Sequence, residues 1–536
     1  MRKKFNITGL CLPEKHYMAD ISEHLRAIKT YVDEGSYLSI NCARQYGKTT
    51  TLYALTRYLA EEYLIISLDF QSLGHASFQD EHTFSLTFAE YFLRELEFAG
   101  CEKNLGLHRQ IDLLRSKVRA ADDSFVLFHL FIHITAICQA APKPILLIID
   151  EADSASNNQV FLDFLSQLRH CYLEREKRGF PAFHSVILAG VYDIQRLQMK
   201  LRPQTEHKTN SPWNIAAEFD VDLSLTRHQI AQMLQAYEED CHTGMDVPAA
   251  AQLIYDYTSG YPFLVSWICK RMDEEIACSC CPENKGAAWT REGILLAVRR
   301  LTAERNTLFE SLNAKLDNDP ELEQILSAVL FMGKEISYNT DNEAIALASM
   351  LGFVINQDGN IAIANRIFET RLYNRFLSAE ALQEDAIYKA SLWDRNQFVL
   401  HGRLNMRLIL ERFVSHFHEI YGDSNEAFLE ECGRKLFLLY LRPIINGKGN
   451  YYIESRTRSM GRTDIIVDYC GEQFIIETKI WRGKEYHSRG EQQIIGYLDD
   501  YQAEKGYLLS FCFNKKKEVG VQEFIIDGKV VIEATV

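Results

Sequence analysis

The sequence has no uninterrupted apolar run long enough to cross a bilayer. Its most apolar stretch, FVLFHLFIHITAIC from Phe125 to Cys138, carries two histidines and is shorter than the roughly 20 residues a spanning helix needs. A buried helix is expected there, and no membrane partner. The start, MRKKFNITGLCLPEKHYM, has basic residues with no apolar segment behind them, so no export signal is read and a cytoplasmic chain is expected. The 13 cysteines are then expected as reduced thiols. The cluster CSCCPE at Cys278–Glu283, taken with Cys269, lacks a second ligand pair at zinc-finger spacing, so buried or reactive thiols are expected rather than a metal site. His129 and His133 lie one helical turn apart but lack the acidic partner of an H-E-x-x-H metal helix.

There is also no excess of basic charge. The net charge is −15, which gives no bulk attraction to nucleic acid. The balance is uneven, however. From Arg395 to the end there are 20 basic and 20 acidic residues, so all the excess acid lies earlier. The neutral C-terminal part has basic runs, ESRTRSMGR and NKKKE, and can approach a phosphate backbone more easily than an acidic one. At 536 residues the chain is too long for one core, and three or four domains are expected.

What is present begins with NCARQYGKTT, Asn41–Thr50. It ends as a G-x-x-x-x-G-K-[ST] phosphate loop does, with Gly47, Lys48 and Thr49, but Cys42 stands at the first glycine. YLSIN before it reads as a strand, and KTTTLYALTRYLAEE after it reads as a helix. Backbone N–H groups of such a loop and the helix N-terminus can surround the β- and γ-phosphates of a nucleotide. Lys48 would add a positive charge and the Thr49 hydroxyl would ligate Mg²⁺. YLIISLDF reads as a second strand. PILLIIDEAD reads as a buried parallel strand delivering Asp150 and Glu151 at its C-terminal edge. Asp150 would hold Mg²⁺, and Glu151 would orient or deprotonate the attacking water. SVILAGV is expected beside that strand, with Tyr192 and Asp193 facing the same crevice.

The segment RQYGKTT resembles the loop of AAA-like, STAND-related P-loop ATPases. That resemblance implies ATP and Mg²⁺ as cofactors, with Arg44, Gln45, Tyr46, Gly47, Lys48, Thr49, Thr50 and Asp150 around the nucleotide. NSPWNIAAEFDVDLSLTRHQIAQML is similar to the end of the ATPase core in that group. YTSGYPFLVSWICKRM, Tyr257–Met272, is similar to its helical lid, with the G-x-P-x-L-V signature on Gly260, Pro262, Leu264 and Val265. No arginine finger is assigned: Arg196, Arg202 and Arg227 are candidates, and ordinary surface arginines are expected at each. After Glu321, two helices and a hairpin around Asp358-Gly359 resemble a winged helix. No basic recognition helix accompanies them, so a spacer is favoured over a DNA reader.

The C-terminal part holds a second pattern. NEAFLEECGRKLFLLYLRPII reads as a helix with Glu430 and Glu431. GNYYIESRTRSMGRTDIIVDY gives a strand, a basic turn and a strand beginning at Asp464. FIIETKIW carries Glu477 and Lys479, two apart and therefore on one face. Two carboxylates can share a divalent metal while the lysine steadies the phosphorane charge in phosphodiester hydrolysis. This arrangement resembles the PD-(D/E)XK nuclease superfamily, with GRTD where the name has its proline. The resemblance implies catalytic Asp464, Glu477 and Lys479, and a metal held by Asp464, Glu477 and Glu431, with Glu430 the alternative helix acid. In the following helix, RGEQQIIGYLDDY, Gln493 would lie near the site, and Mn²⁺ is an alternative to Mg²⁺.

The expected chain is α/β and multidomain. Residues 1–225 form a parallel-sheet P-loop ATPase core and 226–315 a helical lid. Residues 316–378 form a winged-helix-like domain, 379–400 a linker, and 401–536 an α/β/α PD-(D/E)XK nuclease-like domain. The implied function is an ATP-regulated, metal-dependent DNA endonuclease, with RNA left open, homo-oligomers possible, and defence against phage or mobile DNA as a setting. The alternative is a STAND-like ATP switch whose C-terminal domain only docks a nucleic acid or a partner.

Overall fold

The computed structural model describes residues 2–99, 104–155, 158–191, 217–218, 222–277, 288–332, 336–378, 385–394, 397–400, 402–421, 426–445, 449–452, 465–470, 472–481, 494–496, 498–499, 503–512 and 519–536. The chain divides into two compact units. One holds Met1–Tyr237 with Tyr261–Ser266 and Met350–Gly352. The other holds Glu238–Gly260, Trp267–Ser349 and Phe353–Val536.

The first unit is built on a parallel sheet. Its strands are β1 (Tyr37–Asn41), β2 (Leu64–Asp69), β3 (Ile145–Asp150), β4 (Ser185–Gly190) and β5 (Ala217–Glu218). They lie in the order β2-β3-β4-β1-β5, and every described pairing is parallel. β3 and β4 are buried at every residue, as strands covered on both faces must be. Successive side chains alternate between faces and feed two separate cores. Leu147, Ile149, Val186 and Leu188 point to one side. There they meet helices α3 (Glu81–Phe98), α4 (Leu105–Ala120), α5 (Leu127–Ala140) and α6 (Gln159–Arg178). Leu146, Ile148, Ile187 and Ala189 point to the other, against α1 (Ser22–Asp33) and α2 (Lys48–Leu59).

From Leu127 onward the apolar stretch 125–138 forms a helix, α5, which is buried on one face only. Leu130, Phe131, Ile134 and Ile137 are inside, whereas Phe128 is 62% and Ile132 51% exposed. The expectation of a buried helix is corrected to this extent: 14 residues of mixed facing cover one side of a sheet. No described helix is long and apolar enough to cross a membrane.

The second unit begins within α7 (Arg227–Cys241). It continues through α8 (Val247–Thr258), α9 (Pro262–Arg271), α10 (Arg291–Ala303), α11 (Thr307–Asn318), α12 (Pro320–Met332) and α13 (Glu343–Met350); the first half of α9 belongs to the other unit. Asp246 caps α8, accepting from the Ala249 N–H. A hairpin follows, β6 (Val354–Gln357) and β7 (Asn360–Ile363). Its turn residues Asp358 and Gly359 both have positive φ, 49° and 86°, the geometry that twists a two-residue hairpin correctly. After α14 (Arg366–Phe376) and α15 (Ala386–Asp394), β8 (Val399–Leu400) pairs with β9 (Arg403–Leu404). The last residues of the expected linker are thus strand, closed by Gly402 at φ 82°.

Helices α16 (Met406–Tyr421) and α17 (Glu426–Ile445) precede a six-stranded sheet. Its strands are β10 (Gly449–Tyr452), β11 (Ile465–Tyr469), β12 (Glu472–Trp481), β13 (Lys505–Cys512), β14 (Gly520–Ile526) and β15 (Lys529–Thr535). The order is β10-β11-β12-β13-β15-β14. β10, β11 and β12 form an antiparallel meander, and β13 and β15 then run parallel to β12. One face takes the helices: a Cβ at Gly433 of α17 would lie 2.8 Å from the Phe511 ring. On the other face Ile475, Leu508 and Val531 pack with Ile494 and Leu498, from the helical residues 494–496 and 498–499.

Ile148 is fully buried in the central sheet. Ile148→Ala is expected to cost about 2–5 kcal/mol through lost transfer energy and the remaining cavity, read from the denaturant midpoint of the full chain.

Candidate functional site

β1 ends at Asn41, and the loop that follows is fastened to the neighbouring strand by the Cys42 N–H, which donates to the Gly190 carbonyl at 3.2 Å. The loop takes its left-handed turns at Gln45 (φ 59°) and Gly47 (φ 83°). Cys42 is not among the described residues with positive φ, so the first glycine of the usual pattern is dispensable here. Gly47 starts α2 with no side-chain cap, and a Cβ on it would meet nothing within 4 Å. The first N–H groups of α2 are therefore not taken by a capping side chain.

Lys48 is buried, and its Nζ donates to the Cys42 carbonyl at 3.2 Å. The Thr49 hydroxyl donates to Asp150 Oδ2 at 2.9 Å, and the Glu151 N–H donates to Asp150 Oδ1 at 2.9 Å. Burial raises the Asp150 pKa, while these two bonds and Lys48 oppose it. Glu151, at φ 51°, is also pushed up by burial, against Lys48 and Arg44. The sequence-predicted Lys48, Thr49, Asp150 and Glu151 thus meet at the C-terminal edge of the parallel sheet. The set fits a nucleotide with Mg²⁺: an uncapped helix start, a buried ammonium, and a hydroxyl and carboxylate already paired as hard oxygen ligands.

Other residues of the loop contact parts of the chain that sequence reading did not connect. Thr50 Oγ1 accepts the Cys11 N–H at 3.2 Å, so the N-terminal segment reaches the first turn of α2. The Arg44 carbonyl accepts the Tyr261 hydroxyl, and the Tyr46 and Tyr261 rings meet edge to face at 4.6 Å. Gly352, at φ 73°, lies where a Cβ would come within 2.8 Å of Ala43 Cβ. Gly190 at the end of β4 leaves room for Asp153, whose Oδ1 would be 2.8 Å from an added Cβ. Arg227 opens α7 and is exposed, while Tyr192, Asp193, Arg196 and Arg202 lie outside the described residues.

In the second unit, Glu477 is buried on β12, and its Oε1 is 3.6 Å from Lys479 Nζ. Lys479 stands opposite Ser510 in the register with β13. The Ser510 hydroxyl donates to Glu533 Oε1 on β15 at 2.7 Å, also buried. Ser510 and Glu533 were not anticipated; only the strand register puts them on the face of Glu477. Asp464 and Gln493 lie outside the described residues, and α17 carries Glu430 and Glu431 at positions whose side chains are not described. Among the described residues no three His, Cys, Asp or Glu side chains are grouped to hold a metal. Cys278, Cys280 and Cys281 are likewise outside, and Cys269 is a buried thiol whose pKa burial pushes up.

The family profile described as an AAA-like domain matches residues 11–379. No curated protein matches the sequence. Among solved structures, the chain is similar to the Walker-type ATPase PABY2304 of Pyrococcus abyssi, at 13% identity and TM-score 0.47, covering 69% of this chain and 98% of that one. It is similar to the Aeropyrum pernix ORC2 protein at 12% identity and TM-score 0.39, covering 67% and 94%. It is also similar to the Thermotoga maritima RuvB Holliday junction branch migration motor, at 12% identity and TM-score 0.29, covering 64% and 90%.

Burial raises the folded-state pKa of Asp150. Its ionised form therefore destabilises the fold at neutral pH, and that cost is relieved as pH falls through the folded pKa. Asp150→Asn is expected to stabilise the ligand-free chain at pH 7 by about 1 kcal/mol, as substitutions of strained functional groups do. The gain should shrink on acidification, which thermal unfolding of both forms at two pH values will show.

Proposed function

The chain belongs to the AAA-like domain family, and we propose that it binds and hydrolyses ATP and uses that cycle to regulate a C-terminal, metal-dependent nuclease acting on DNA. The observation that carries the ATPase half is the Thr49–Asp150 contact beside buried Lys48. Lys48 would exchange the Cys42 carbonyl for phosphate oxygens. The backbone N–H groups of Gln45–Thr50 would surround the phosphates, with Arg44 at the loop tip. Thr49 and Asp150 would hold Mg²⁺, which neutralises charge on the β- and γ-phosphate oxygens when bound. Glu151 would orient the attacking water and accept its proton; its burial-raised pKa would make it a stronger base than a solvated glutamate.

The nuclease half is supported by the sheet of the second unit. A helix, an antiparallel meander, a helical segment and a parallel strand follow in that order. Glu477 and Lys479 lie on its third strand, β12, at the edge of an aliphatic face. Glu477 would hold Mg²⁺ or Mn²⁺ with Asp464 and the α17 acid, Glu431 or Glu430. Lys479 would stabilise the charge developing on the phosphorus oxygens, and Gln493 would assist it. The division into core, lid, winged-helix-like spacer and nuclease-like domain at residues 225, 315, 378 and 400 is part of the same proposal.

Lys48→Ala is expected to weaken ATP binding about 10- to 100-fold, the loss of a charge-assisted contact. Full affinity by calorimetry would remove the phosphate-site reading.

The nuclease is tested with plasmid, linear and single-stranded DNA, with Mg²⁺ or Mn²⁺, with and without ATP. Metal-dependent cutting is expected, reduced about 100-fold or more in Lys479→Ala. Cutting that survives unchanged in the variant would locate the activity elsewhere. No cutting by the wild type would favour the ATP-switched docking protein.

A further inference from the structure

The stretch Tyr257–Tyr261, YTSGY, has a tyrosine at each end, and each hydroxyl is committed to a different unit. Tyr261 belongs to the first unit. It is 2% exposed, donates to the Arg44 carbonyl and packs edge to face on Tyr46. It thereby fixes the tip of the phosphate loop by a contact that any ligand-driven movement of the loop must stretch or carry along. Tyr257 belongs to the second unit. It is 3% exposed at the end of α8, and its hydroxyl donates to Asp468 Oδ2 on β11. Asp468 is itself buried, opposite Asn450 on β10 and Gln473 on β12. The Arg366 guanidinium lies 5.8 Å from the centroid of the Tyr257 ring.

Between the two tyrosines the chain crosses from one unit to the other, after Gly260. The crossing has two successive left-handed residues, Ser259 at φ 47° and Gly260 at φ 76°. The Gly260 N–H donates to the Thr258 hydroxyl, which in turn donates to the Ile254 carbonyl. The turn is therefore tied back onto α8. Burial lifts the Tyr257 hydroxyl well above its ordinary pKa, so it stays protonated and donates.

We propose that residues 257–261 are a coupler: Tyr261 follows the ligand state of the phosphate loop, and Tyr257 transmits it to β11 of the C-terminal sheet through Asp468. β11 is the strand immediately after Asp464, and it is paired along its length with β12, which carries Glu477 and Lys479. A shift of α8 relative to β11 would reach the acidic face by one strand register. The coupler rests on the reading of the phosphate loop as a nucleotide site, but not on the C-terminal sheet being an active nuclease.

The test is hydrogen exchange of peptides spanning residues 465–481, with and without a non-hydrolysable ATP analogue and Mg²⁺. Nucleotide affinity is measured in parallel on the full-length wild type, Tyr257→Phe and Asp468→Asn. In the wild type, the analogue should change protection in this segment. Tyr257→Phe removes only the hydroxyl; exchange of β11 should rise about tenfold, the response to the analogue should be lost, and affinity should stay within about twofold. Asp468→Asn keeps an acceptor in place and should retain the response. A full-sized response in Tyr257→Phe, or a wild type that binds the analogue with no change in residues 465–481, would overturn the coupler alone. A wild type that binds no nucleotide would overturn the phosphate-loop reading, and the coupler with it.

Discussion

The hydrogen bond from Thr49 to Asp150 is the contact around which the first unit is arranged. β1 and β3 are not neighbours; β4 lies between them. The start of α2 and the end of β3 can meet only above the C-terminal end of β4. That requires β4 to finish in something small, and it finishes in Gly190, where an added Cβ would strike Asp153. The carboxylates gathered there are partly desolvated, which raises Asp150 and Glu151 together. Lys48 is the counter-charge common to both, and burying a lysine is tolerable only beside such acids. The edge is thus built to be poor at balancing its own charge, a condition in which binding a polyanion with a divalent cation redistributes several interactions together.

Most of this was legible because its signals are local. β1, α2, β3 and the Asp358-Gly359 hairpin stand where apolar period and turn chemistry put them. The substitution at Cys42 was harmless for a reason the sequence does not state: the left-handed turns fall at Gln45 and Gly47. What stayed hidden depends on long-range register. Tyr261 reads as an apolar residue in a helix start, yet its hydroxyl holds a carbonyl 217 positions away. Ser510 and Glu533 are ordinary polar residues until strand order brings them to a face. The strands β13, β14 and β15 carry no motif, so nothing in the sequence marked them as part of the acidic face. The exposed side of α5 has the same origin: composition gives the amount of apolar surface and not which side is covered.

One face of the six-stranded sheet carries both aliphatic packing and buried acids. Because paired positions share a face, β11 and β12 line up Asp468 with Gln473 and Ile466 with Ile475, and Glu477 follows two residues after Ile475. Along this row, a buried hydrogen-bonded acid comes first, aliphatic side chains packed with Ile494 and Leu498 come next, and the Glu477–Lys479 pair comes last. Asp468 accepts the Tyr257 hydroxyl at one end of the row, and Glu477 lies 3.6 Å from Lys479 at the other.

The free energy available to the proposed coupler is limited. A buried hydroxyl–carboxylate bond contributes about 1–3 kcal/mol when its loss leaves a partner unsatisfied. Coupling energies between distant sites are typically of that same size. Shifting a two-state element from about 1:99 to 99:1 would need about 5.5 kcal/mol. On the proposed coupling, one tyrosine would bias the C-terminal sheet by a factor of roughly 10 to 100 and would not act as an all-or-none lock. If the chain is a switch, a graded response is what a single Tyr257–Asp468 link delivers. A steeper one would require several copies acting together or further contacts that break with it.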